Sequence, residues 1–152
     1  MKNTLAIIKP DAMRKGHLED IRKDILDNGF DIVEEKTLNL SNEQACSFHD
    51  IHQDKPFFDE LVEFMTSYEC HVMKLEKEDA VVEWRNLMGA TDSQKADTGT
   101  IRQKYGTDIS MNATHGSDSN DNAHKEIEFF FNDEIFFINN WFIFCSLFSG
   151  TK

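Results

Sequence analysis

The sequence predicts an α/β (α+β) protein, a ferredoxin-like sandwich whose mostly antiparallel four-stranded sheet is covered by helices. Three observations carry this expectation. Runs of strand length recur at residues 4–8, 30–40 and 70–75. Stretches with apolar residues at helical spacing lie between them. The 152 residues suit one compact domain, with no internal repeat and no low-complexity linker.

Residues 4–8 form an apolar run closed by Lys9-Pro10-Asp11, which reads as a buried strand followed by a loop. Leu18, Ile21 and Ile25 recur at helical spacing, and Gly29 after Asn28 supplies a stop. In residues 30–40, Ile32, Glu34, Lys36, Leu38 and Leu40 alternate in part, as a strand does. Ser41-Asn42-Glu43-Gln44 has the form of a capping box, so a helix should start there. A further helix is expected from about 57 to 65 and a strand from 70 to 75. Ala80, Val81, Trp84, Leu87 and Met88 mark one face of another helix. Residues 89–99 are polar and loop-like, and 107–119 show almost no periodicity. Ala123, Ile127 and Phe130 mark a last helix.

Hydrophobic residues make up 39% and charged residues 29%, the balance of a soluble globular protein. The formal net charge of −12 repels nucleic acid and anionic membrane, and neither is expected as a partner. It also repels nucleotides at long range, so phosphate binding would need local cations, helped by a bound metal ion. Cys46, Cys70 and Cys145 match no zinc or redox spacing, and nothing at the N-terminus resembles a signal peptide. A reducing, cytoplasmic location is expected. The domain is expected over residues 1–134, with an apolar tail over 135–152. Residues 135–148 are nearly continuously apolar, broken by Asn139-Asn140, and too short for a membrane span of about 20 residues. The tail reads as a segment packed on this or a neighbouring subunit, or as disordered. An interfacial membrane contact lacks the usual flanking Lys and Arg.

Residues 112–119, Asn-Ala-Thr-His-Gly-Ser-Asp-Ser, gather chemically capable groups in what reads as a loop. His115 could serve as nucleophile or acid/base, because imidazole titrates near neutral pH; a solvated or packing role is the alternative. Glu126 falls within the apolar stripe of the last helix, where a carboxylate needs a partner that His115 could supply. Otherwise it only skirts the core. Lys9, Arg85 and Arg102 are the candidate phosphate cations, each with a solvated surface charge as the alternative. His49 and His52 could share a helix face and bind metal, but no third ligand stands at fixed spacing.

Several segments together resemble the nucleoside diphosphate kinase family. Residues 4–12, Thr-Leu-Ala-Ile-Ile-Lys-Pro-Asp-Ala, are similar to its N-terminal strand motif. Pro56-Phe57-Phe58, residues 84–91 (Trp-Arg-Asn-Leu-Met-Gly-Ala-Thr) and Gly99-Thr100-Ile101-Arg102 are similar to its middle motifs. Residues 112–119 are similar to its N-x-x-H-G-S-D-S motif, and Glu126-Ile127 with Phe130-Phe131 to its closing helix. The resemblance runs in register from about residue 3 to 135. It implies a ferredoxin-like fold in a homo-oligomer, hexameric or tetrameric. It implies ping-pong transfer of the γ-phosphate of a nucleoside triphosphate such as ATP to a nucleoside diphosphate, through phosphohistidine at His115. On that resemblance Lys9, Thr91, Arg85, Arg102 and Asn112 hold phosphates and ribose. Phe57 stacks on the base with Ile109 nearby. Magnesium (Mg2+) bridges the phosphates with Asp118 close to it, and Ser117 and Glu126 support His115. A site of phosphate clamps and a stacking ring should accept many nucleotides. Two other readings are an assembly or nucleotide-binding module with weakened catalysis, and a metal-dependent hydrolase using His49 and His52.

The sequence departs from the family pattern in places. Tyr68-Glu69 replaces Gly-Pro, Glu19 replaces a glycine, Asp92-Ser93 replaces Asn-Pro, and Thr98 replaces a proline. The last two changes, at 92–93 and 98, each lose a proline at a cost of about 0.4–1 kcal/mol through the unfolded chain and loosen a loop used in subunit contacts. His49 stands where the family usually has a tyrosine near the phosphate-binding lysine. Imidazole is shorter than a phenol and titrates, so turnover should be weaker or more pH-dependent than with tyrosine. Activity unchanged by His49→Tyr across neutral pH would argue against this.

Overall fold

The computed structural model describes residues 2–48 and 57–132. The expectations for His49, His52, Pro56, Cys145 and the tail lie outside these residues. Strand β1 (Asn3–Ile8) is followed by helices α1 (Pro10–Arg14) and α2 (Leu18–Asp27), then strand β2 (Asp31–Leu38). Helices α3 (Asn42–Phe48) and α4 (Phe58–Thr66) lead to strand β3 (Cys70–Glu76) and helix α5 (Ala80–Met88). A 3₁₀ turn (Ser93–Lys95), helix α6 (Ile101–Tyr105), strand β4 (Thr114–Gly116) and helix α7 (Asn120–Phe131) complete the order. The sheet runs β2-β3-β1-β4 and every pair is antiparallel. The four-stranded antiparallel sandwich expected from the sequence is the observed fold.

Three short elements were not foreseen. Pro10 starts α1 rather than a loop: it stands at the first helical position, where a missing N–H costs nothing. Helix α6 is capped by Thr100, whose side chain accepts from the Gln103 amide. Most consequentially, His115 lies on a strand and not in a loop, because residues 114–116 pair with β1. The capping box expected at Ser41 is complete. The Ser41 hydroxyl accepts from the Gln44 amide at 3.1 Å, and the Gln44 side chain accepts from the Ser41 amide at 3.0 Å.

Alternation along β1 divides the core. Ala6 and Ile8 join Met73, Leu75, Ile21, Ile25, Trp84, Met88 and Ile101 on the face covered by α2, α5 and α6. Leu5 and Ile7 join Cys70, Val72, Ala45, Met65, Ile127 and Phe130 on the face covered by α3, α4 and α7. Both faces of β1 are thus buried, and it is the fixed reference for the site.

Gly116 is a point of close approach. A Cβ there would lie 2.5 Å from both Met88 Cε and Trp84 Cδ1. Gly116→Ala should therefore force Trp84 off its packing and destabilise the fold by about 1–3 kcal/mol, as overpacking does. The midpoint of urea unfolding measures this, and an unchanged midpoint would show that the Trp84 ring is free to yield.

Candidate active site

The register Ile7↔His115 places His115 on the same side of the sheet as Ile7, toward α3 and α7. Glu126 of α7 meets it: His115 Nε2 lies 2.9 Å from Glu126 Oε1. A carboxylate only accepts, so Nε2 carries the proton and Nδ1 is left with its lone pair. Among the described residues Nδ1 has no hydrogen-bond partner. The Phe48 ring of α3 stands edge-on to the imidazole, with centroids 5.2 Å apart at 74°. From the other face Trp84 Nε1 donates to the His115 carbonyl at 3.2 Å. The His115 side chain is 26% exposed, held by neighbours yet open on one side.

Lys9 emerges at the end of β1. Its amide donates to the Ala113 carbonyl at 2.8 Å, and its Nζ donates to Asn112 Oδ1 at 2.8 Å. Asn112 Nδ2 donates to the carbonyls of Thr91 at 3.0 Å and Ile109 at 3.2 Å. Asn112 is thereby held in one orientation, with its oxygen facing the lysine. Burial, and then the nearby Arg102, lower the Lys9 ammonium to about 8. Arg102 donates to the carbonyls of Gly89 at 3.1 Å and Thr114 at 3.0 Å, and among the described residues its buried Nε has no partner. Burial, and then the charge of Arg85, bring it down to about 10. Arg85 is exposed on α5. Three cations thus sense one another at one end of the sheet in a chain of net charge −12. Their mutual repulsion is relieved by an anion.

The remaining expected residues surround this centre. Asp118 is exposed; Asn122 Nδ2, which donates to its Oδ1 at 2.6 Å, holds its carboxyl below the usual range, with Arg85 contributing. Thr91 is exposed and Ile109 is 62% exposed, on the two segments pinned by Asn112. Phe57 stands at the head of α4 with its ring 48% exposed. Ser117 makes no hydrogen bond to His115 or Glu126: among the described residues its hydroxyl is buried without a partner, as is Glu126 Oε2. Cys70 lies near Lys9, and burial pushes its thiol up to about 12. Among the described residues no group of three or more His, Cys, Asp or Glu could hold a metal ion. No described helix is long and apolar enough to cross a membrane.

Three residues here carry contacts that the sequence pattern does not assign. Asp11 stands in a helix start rather than the expected loop, and proline followed by an acid is the local signal for it. Trp84 bonds the His115 carbonyl in addition to its place in the core, and Phe48 meets the imidazole. A short alternating piece such as Thr114–Gly116 gives no periodicity from which these contacts could be inferred.

A family model for nucleoside diphosphate kinase matches residues 2–136. Among curated relatives, the nucleoside diphosphate kinase of Helicobacter pylori (strain P12) is 50% identical over 130 residues, covering 86% of this chain and 95% of that protein. That of Syntrophotalea carbinolica is 47% identical over 131 residues, covering 86% and 96%. Among solved structures, the Aquifex aeolicus nucleoside diphosphate kinase superposes with a TM-score of 0.84 at 43% identity, covering 86% of this chain and 94% of that one. The Halobacterium salinarum enzyme in complex with CDP gives 0.84 at 41% identity, covering 88% and 89%. With its fold and the order of its motifs thus matched along most of its length, the chain belongs to the nucleoside diphosphate kinase family and is a phosphotransferase acting on nucleotides.

Proposed function

We propose that the γ-phosphate passes from a nucleoside triphosphate to a nucleoside diphosphate by a ping-pong route through phosphohistidine at His115. The observation that carries this is the His115–Glu126 pair, which protonates Nε2 and leaves Nδ1 as the free nucleophile. The Nδ1 lone pair attacks the γ-phosphorus, and the bond to the β–γ bridging oxygen breaks. The departing diphosphate keeps that electron pair. Phosphorylated imidazole is cationic while Nε2–H is retained, and Glu126 balances that charge without taking the proton. A second diphosphate then attacks with a β-phosphate oxygen, the P–N bond breaks, and Nδ1 recovers its lone pair.

Lys9, Arg85 and Arg102 neutralise the phosphates, and Asn112 aims Lys9. Thr91 completes the polar contacts, and Phe57 with Ile109 offers apolar surface that any base can use. Asp118 is a single exposed carboxylate, which fits magnesium bound mainly through phosphate oxygens and water rather than in a protein cage. Magnesium would supply further charge neutralisation there. Ser117, buried two residues after His115, is assigned to supporting it. Strand β2 ends the sheet with Val33 47% exposed, which supports a homo-oligomer, hexameric or tetrameric, that covers this edge. Free Cys46 and Cys70 fit a reducing cytoplasm.

Incubation with magnesium and γ-labelled ATP should give an acid-labile, base-stable phosphoprotein that discharges onto GDP, and His115→Ala should abolish it. A folded protein that binds ATP yet never labels would instead favour a nucleotide-binding or assembly module. Glu126→Gln should slow labelling by about tenfold to a hundredfold with little effect on nucleotide affinity, as loss of an orienting partner does. Lys9 is charged below about 8 and loses its proton above it. Nucleotide affinity of the free enzyme, followed as kcat/KM, should therefore fall as pH rises through about 8. The limb in kcat should lie higher, because bound phosphate favours the ammonium. A flat profile through this range would show that Lys9 keeps its proton across it.

A further inference from the structure

Asp11 has a conventional place as the acidic residue in the first turn of α1. Its contacts point elsewhere. It is 8% exposed, and its Oδ2 accepts from the amide of Ala113 at 3.0 Å, 102 residues away in sequence. Ala113 has φ +71°, a left-handed conformation that a residue with a Cβ rarely adopts. Both polar groups of Ala113 are pinned: the N–H by Asp11 and the carbonyl by the Lys9 amide. The kink is tight, since the Thr114 amide reaches back to the Asn112 carbonyl at 2.8 Å. On one side of it Asn112 meets Lys9; on the other, two residues on, His115 meets Glu126.

We infer that Asp11 is a positioning residue for phosphoryl transfer, its carboxylate fixing the Ala113 kink that sets Asn112 against Lys9 and His115 against Glu126. The inference rests in part on the phosphohistidine reading. Without Asp11 the buried Ala113 amide loses its acceptor, and the left-handed turn is left with the Thr114–Asn112 and Lys9–Ala113 backbone bonds alone among the described residues. The same carboxylate faces Lys9, where it favours the ammonium against burial and Arg102; Cys70 is the other group there. Asp11 thus joins the geometry of the nucleophile to the charge of the phosphate-binding lysine.

Two variants separate these effects. Asp11→Asn keeps an oxygen for Ala113 but removes the charge, whereas Asp11→Ala removes both. In protein carrying ¹³C-lysine, the Lys9 signal, identified by its loss in Lys9→Met, reports its titration by NMR. Asp11→Asn should move that titration to lower pH. Asp11→Ala should slow His115 labelling by about a hundredfold, the cost of a small misplacement of reacting groups, and Asp11→Asn should recover part of the loss. Asp11→Ala labelling as fast as the parent would overturn the inference; should that variant fail to fold, Asp11→Asn labelling no slower than the parent, with an unmoved Lys9 titration, would overturn it instead. A parent protein that never labels at His115 would overturn the phosphohistidine reading instead, while the Lys9 titration still reads Asp11.

Discussion

Strand β4 is three residues long and hydrogen-bonds to one neighbour, β1. Because side chains alternate across a strand, this short pairing decides which residues face which helices. His115 is turned toward α7 and α3, where Glu126 and Phe48 receive it. Gly116, turned the other way, leaves room for Trp84 to press against the backbone and bond the His115 carbonyl. A slip of one residue would exchange these faces and bury the imidazole against the indole. The fully buried β1 prevents it, since its two faces are committed to separate cores. Burial of a branched apolar side chain is worth about 1.5–3 kcal/mol, so such a strand is not easily re-registered.

The electrostatics depend on the same frame. Lys9 leaves the end of β1, and Arg102 donates to the carbonyl of Thr114 in β4. Two of the cations are therefore anchored to neighbouring strands rather than carried on long free side chains. Such anchoring limits the entropy lost when an anion is held. Arg102 uses two of its donors on backbone oxygens, so it is an oriented charge as well as a brace for the strand that bears His115. In a chain of net charge −12 these cations stand against an acidic whole.

Much of the fold was legible in the sequence because its longer elements are strongly periodic. Helices α2, α5 and α7 and strands β2 and β3 were all visible as spacing, and the start of α3 as a capping box. The unforeseen elements, α1, α6 and β4, are three to five residues long, too short to show a period. His115 and its neighbours were singled out by motif resemblance, not by pattern. The contact to Glu126 was foreseen from a carboxylate inside an apolar stripe, but the Asp11–Ala113 contact depends on the antiparallel return of the chain and leaves no local trace. The loop that lost two prolines is tied otherwise: the Asp92 side chain accepts from the Gln94 amide, and the buried Ser93 hydroxyl bonds the Asp108 carbonyl. Hydrogen bonds there do part of what ring constraint does in the family pattern.

Cys70 gives the site a chemical quietness. Oxidants and alkylating agents attack the thiolate, and a thiol pushed up to about 12 is almost wholly protonated under ordinary conditions. The sulfur is buried near Lys9 with its hydrogen directed at the Met65 carbonyl. It therefore neither forms an ion pair that would cancel the lysine nor offers a handle for redox inactivation.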